Sequence, residues 1–169
     1  MERELLLLGL LQRQEMHGYQ LHEFIDSYMQ TCVDLKKSTA YYLLEKMARE
    51  GLVSSSEERE GNRPPRLVYS LTAAGEAHFL DLLRQNLSTH LPARFPGDTG
   101  LTFLDNLPRA DAISLLQTRQ TALAQELARV EQAPTHTGSL QLLIEHQIVH
   151  LRSEAGWLEQ VINHLANEI

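Results

Sequence analysis

Hydrophobic positions recur at helical spacing along most of this chain, and one short stretch of strand-like alternation after residue 51 interrupts them. Residues 4–12 read as a short helix that is apolar nearly all round, which predicts burial rather than display. A helix so short and so apolar is expected to pack against more than its own domain's core. His17-Gly18-Tyr19 reads as a turn into a second helix, where Leu21, Phe24, Ile25 and Tyr28 recur at i, i+3, i+4 and i+7 as one packing stripe. Mixed residues 29–35 lead into a third helix at residues 36–51. At about 100° per residue, Ala40, Leu43, Leu44 and Met47 share its inner side, while Tyr42, Glu45, Lys46 and Arg49 face out and Tyr41 lies between. Ser38 is the expected N-cap, and Gly51 the expected stop, because glycine enters the left-handed region without a Cβ clash.

The period then changes. Leu52-Val53-Ser54 and Leu67-Val68-Tyr69-Ser70-Leu71 read as two strands. Between them, Gly61-Asn62 supplies turn chemistry and Pro64-Pro65 bars regular pairing, so a hairpin is expected with Arg63 and Arg66 at its tip. Thr72 caps a further helix with Glu76 in its first turn, running to about Leu91 and stopping at Pro92.

Residues 92–100 are turn-rich and mark a boundary. Beyond a short apolar segment, Pro108 suits the first position of a helix running to about Gln132, with Ile113, Leu116, Leu123, Leu127 and Val130 on one face. Residues 133–138 break it, and Ser139 is expected to cap a last helix of about 28 residues, about 40 Å at a rise of 1.5 Å. Ile144, Leu151, Leu158, Ile162 and Leu165 form its stripe, with His146, His150, Trp157 and His164 read along the stripe's edge. Two such helices joined by a short break predict an antiparallel hairpin. Alone it would leave an apolar face wet, and a partner subunit is the simplest cover.

Three helices followed by a hairpin, the third helix outward-facing and partly basic, make a winged helix-turn-helix arrangement. The expected fold is mainly α: a winged helix-turn-helix DNA-binding domain over residues 1–91, then an antiparallel helical dimerisation domain over residues 92–169. The third helix would enter a DNA major groove and the hairpin would reach the neighbouring backbone or minor groove. Lys37, Lys46, Arg49, Arg63 and Arg66 can neutralise phosphates, and Ser38, Thr39 and Tyr42 can donate to phosphates or base edges. Glu45 can accept from cytosine N4. The net charge of −7 opposes binding through bulk charge, so the function must rest on a local basic patch. Winged helices also dock proteins. A protein-interaction adaptor without DNA affinity is therefore the competing reading, and the acidic balance favours it.

Four segments in order carry a family resemblance: residues 6–11 (LLLGLL), His17-Gly18-Tyr19, then Thr39-Ala40-Tyr41 with Leu44, Met47 and Glu50-Gly51-Leu52-Val53, and finally residues 66–75 (RLVYSLTAAG). Together they span most of residues 1–90, and on them the chain resembles the PadR-like transcriptional regulators, a family of winged-helix repressors. Phe103-Leu104, Leu107-Pro108 and Trp157-Leu158 give the C-terminal part a looser similarity to the members with a longer, virulence-activator-type helical domain. The resemblance implies a homodimer on a palindromic operator of double-stranded DNA, usually as a repressor, with small molecules or signals releasing some members. It also implies a phosphate contact for Tyr41. The wing departs from the pattern, carrying Pro64-Pro65 where a more basic run is usual. A two-fold dimer would set two recognition helices about 34 Å apart, one DNA turn. Its interface is expected from Leu7, Leu8, Leu11, Leu151, Trp157, Leu158, Ile162 and Leu165.

The remaining chemistry narrows the choice. The single cysteine, Cys32, excludes an intrachain disulfide and suits a reducing cytoplasm. The apolar run at residues 5–11 is too short for a signal peptide, and Glu2 and Glu4 spoil a basic n-region. Nothing approaches the run of roughly 18 apolar residues that a membrane span needs. His146 and His150 stand at i, i+4, a spacing that can chelate a metal, but no Glu follows His146, so the metalloprotease signature is absent; these histidines read as interface packing with polar tips, and no metal is expected. Trp157 reads as an interface anchor. With no P-loop, dinucleotide-binding glycines or nucleophile elbow, neither cofactor nor catalytic residue is expected.

Overall fold

A computed structural model of the chain describes residues 1–13, 16–17, 21, 35–58 and 66–167. These form two compact units, Met1–Pro92 and Ala93–Ile169. Outside the described residues lie Gly18 and Tyr19 of the expected turn, the stripe members Phe24, Ile25 and Tyr28, Cys32, and the hairpin tip with Arg63.

The first unit runs α1 (Glu2–Leu11), β1 (Met16–His17), α2 (Lys37–Arg49), β2 (Val53–Glu58), β3 (Arg66–Leu71) and α3 (Ala73–Ser88). Its sheet is antiparallel in the order β1-β3-β2. His17 is thus not in a turn but in a strand, opposite Val68. β2 also runs further than its apolar pattern suggests: only Val53 is buried, and the Ser54–Glu58 part is held in the extended form by backbone pairing with β3, as far as Glu58 opposite Arg66.

The core of this unit gathers Leu7, Leu8, Leu21, Leu35, Leu44, Met47, Val53, Tyr69 and Leu82. α1 packs on α3, α2 and β3, so Leu7, Leu8 and Leu11, expected at a subunit interface, are covered by their own chain. Burial pushes the Tyr69 phenol above its ordinary pKa. α3 starts as expected, with Thr72 Oγ1 accepting from the Gly75 amide at 3.0 Å. It ends at Ser88, short of Pro92, where its apolar packing has run out and Leu87 is exposed.

The second unit holds α4 (Asp98–Thr102), a 3-10 turn (Leu104–Asn106), α5 (Arg109–Glu131) and α6 (Ser139–Asn167). Pro108 is the N-cap of α5 rather than its first residue, and Ser139 is already helical after Gly138, whose φ of 70° closes the break. α5 and α6 pack on each other around Leu116, Leu158 and Ile162, flanked by Ile113, Leu123, Val161 and Leu165. Arg119 pairs with Glu154, and Arg152 with Glu131, between the two helices.

Candidate nucleic-acid interface

α2 is bounded by backbone geometry at both ends. Lys36, not Ser38, is the N-cap: it is extended, no side chain caps the helix, and Ser38 already lies in the first turn. At the other end the Leu52 amide donates to the Met47 carbonyl at 2.9 Å and the Gly51 amide to Ala48 at 3.1 Å, with Gly51 at φ 75°. This pair of bonds is a Schellman closure, which depends on a residue that tolerates positive φ.

Ala40, Leu44 and Met47 anchor the helix in the core. Ser38, Tyr42, Glu45 and Arg49 recur at i, i+4, i+7 and i+11, all exposed, and so form one outward stripe, with Lys37 exposed beside its start. Thr39 and Tyr41 are half-buried at its margin. Tyr42 is the most prominent apolar surface there, 59% exposed. These expected site residues therefore meet on one face.

Lys46 stands differently. Its Nζ donates to Glu4 Oε1 at 2.8 Å and lies 3.8 Å from Glu50 Oε1. The hydrogen bond from Lys46 is the first cause of a Glu4 pKa below the usual carboxylate range, and the same bond is the first cause of a Lys46 pKa above the usual lysine range. Glu4 was not a candidate in the sequence, since no local pattern joins residues 42 positions apart.

In the wing, Ser54, Ser55, Ser56, Glu57 and Glu58 are exposed along β2. Arg66 opens β3 opposite Glu58. The hairpin is tied to α3 through Thr72, whose Oγ1 lies 2.7 Å from the Gly51 carbonyl and 3.0 Å from that of Leu52.

The expected dimer residues divide. Leu158 and Ile162 are buried inside the α5–α6 pair, Leu151 and Leu165 are half-buried, and Trp157 is 39% exposed. The histidines and Trp157 are not at the edge of that buried stripe. With Leu142 and Val149, 66% and 65% exposed, they form a separate exposed face of α6. His146 and His150 meet edge-on with their Nε2 atoms 3.2 Å apart. Among the described residues, no three His, Cys, Asp or Glu side chains gather as a metal set. Nor is any helix of these residues long and apolar enough to cross a membrane.

The sequence matches the model of the Transcriptional regulator PadR-like family over residues 7–81. No curated protein matches it. Among solved structures, it is similar to Bacillus subtilis PadR in complex with operator DNA, with a TM-score of 0.82, 19% identity and 96% of each chain covered. It also resembles Bacillus subtilis PadR in complex with p-coumaric acid (TM-score 0.74, 19% identity, covering 98% of this chain and 96% of that one). The Vibrio cholerae virulence activator AphA is a further likeness (TM-score 0.72, 17% identity, 97% and 98% covered). The mainly helical fold with its small winged sheet is thus the one these regulators share. Over residues 7–81, the chain is thus similar to the PadR-like family of transcriptional regulators.

Proposed function

We propose that this regulator is a cytoplasmic homodimer that binds a palindromic operator and represses transcription, with residues 1–91 reading DNA and residues 92–169 joining the subunits. The observation that carries this reading is the exposed stripe Ser38–Tyr42–Glu45–Arg49, set on a helix whose other side is locked into the core. Lys37, Ser38, Thr39, Tyr41, Tyr42 and Arg49 would meet the major groove and its flanking phosphates, Lys46 would lie beside them with its charge held by Glu4, and Arg63 and Arg66 would reach the backbone next to the groove. The relative captured with operator DNA supports the site, and the one captured with p-coumaric acid supports release by a small molecule.

The exposed α6 face of Leu142, Val149 and Trp157 supports pairing with a second copy, because an apolar helical stripe left in water favours association. An electrophoretic shift with duplex from the protein's own promoter region, run at two salt concentrations, tests the DNA reading. The expected result is a shift that weakens at higher salt. Absence of a shift at both concentrations would favour the adaptor reading, for which the net charge of −7 speaks. Light scattering at micromolar protein tests the pairing, and a monomer would count against it.

A further inference from the structure

We infer that Glu4 sets how strongly this protein holds DNA without regard to sequence, by occupying the charge of Lys46. The inference rests on the DNA-binding reading of α2. A lysine raises sequence-independent affinity by neutralising a phosphate and releasing the counterion that phosphate had condensed. Lys46 is placed for that role, on the turn between Tyr42 and Arg49, yet its ammonium already donates to Glu4 Oε1 at 2.8 Å and has Glu50 Oε1 at 3.8 Å. Two carboxylates around one ammonium leave the cluster with no net positive charge.

Glu4 is not an incidental surface partner. It sits in the turn of α1 directly before Leu7 and Leu8, both fully buried, so its backbone is fixed by the core. Its side chain is 19% exposed, against 38% for Lys46. Glu50 is a weaker partner, being the exposed i+4 neighbour at the end of the same helix. Glu4 therefore keeps the cationic count of this face low, so that affinity depends on Lys37, Arg49 and the groups that read base edges. In an acidic chain this favours the correct site over bulk DNA.

The test measures binding of the full chain to a labelled duplex of scrambled sequence across a salt series, for wild type, Glu4→Gln, Lys46→Ala and the double variant, with melting temperatures taken on the same preparations. Glu4→Gln keeps the shape and removes the charge. It is expected to bind more tightly, with log K against log salt steeper by about 0.9 per protomer. Lys46→Ala alone should keep the wild-type slope, and in the double variant the slope should return to it. A Glu4→Gln slope equal to wild type, or a Lys46→Ala slope shallower by a full phosphate, overturns the inference while leaving DNA binding standing. If no variant binds DNA at any salt, both readings fall. Glu4→Ala provides the same comparison should the glutamine variant melt early.

Discussion

Gly75 approaches Leu52 so closely that a Cβ built on Gly75 would lie 1.9 Å from the Leu52 carbonyl oxygen and 2.8 Å from Leu71 Cδ1. The same carbonyl accepts from the Thr72 amide at 3.2 Å. The first turn of α3 is thereby pressed against the residue that links α2 to the wing. Gly75→Ala forces backbone to move against backbone. It is expected to destabilise the protein by about 1–3 kcal/mol, the usual range for overpacking, read as a lower denaturation midpoint with an unchanged m-value. Gly51→Ala meets no atom within 4 Å and is strained only through its φ of 75°, so its loss should be about 1–2 kcal/mol. Should Gly75→Ala prove neutral, the close approach is not a constraint in solution.

Thr72 holds the same junction from the other side, accepting from the Gly75 amide while its hydroxyl faces the Gly51 and Leu52 carbonyls. Thr72→Val keeps the shape and removes the oxygen. It should cost about 1 kcal/mol for the cap, measured by urea unfolding, and Thr72→Ser should restore most of it. A valine variant as stable as wild type would show that the methyl group, not the hydroxyl, does the holding.

The Glu4–Lys46 pair makes stability depend on acid. The folded state lowers the Glu4 pKa, chiefly through the hydrogen bond from Lys46. Its contribution is therefore complete above the ordinary glutamate value of about 4.3 and is lost as pH falls through the lower folded value. The Lys46 pKa is raised, chiefly by the same bond, so that contribution is present below the ordinary lysine range and lost as pH rises through the higher folded value. Glu4→Gln should show a flatter fall of melting temperature below about pH 4.3 than wild type. Parallel acid limbs would mean that other carboxylates carry the whole effect.

What the sequence made legible was what is local. The stripe that buries Ala40, Leu44 and Met47, the stop at Gly51 and the cap at Thr72 all follow from residues within a few turns of one another. The length of β2 did not show, because Ser55, Ser56, Glu57 and Glu58 have no apolar rhythm and are held by their partner strand. The pairing of Lys46 with Glu4 was invisible for the same reason: it is made by the packing of α1 on α2. On α6 the apolar residues belong to two faces rather than one. Leu158 and Ile162 turn to α5, whereas Leu142 and Val149 turn to water. A single stripe with histidines at its edge merged the two.

That division makes neighbouring residues behave differently. Leu158, fully buried between α5 and α6, should lose about 2–5 kcal/mol of stability when cut to alanine. Trp157 is 39% exposed on the other face. Trp157→Ala should leave the midpoint of a dilute sample nearly unchanged and weaken self-association by about 2 kcal/mol, roughly thirtyfold in sedimentation equilibrium. Unaltered self-association would remove Trp157 from the proposed interface.

The outward stripe of α2 separates two kinds of DNA contact. Arg49 is exposed as the last residue of the helix, and its role in the proposed complex is phosphate neutralisation. Arg49→Ala should weaken operator and scrambled duplex alike and shallow the salt slope by about 0.9 per protomer. Tyr42 lies mid-stripe, flanked on its own face by Ser38 and Glu45, where a docked helix would meet base edges. Tyr42→Ala should cost about 1–3 kcal/mol on the operator and little on scrambled duplex, leaving the salt slope intact. Anisotropy titrations on both duplexes distinguish the two. If Tyr42→Ala weakened both equally while Arg49→Ala affected only the operator, the helix would have to meet DNA in another orientation.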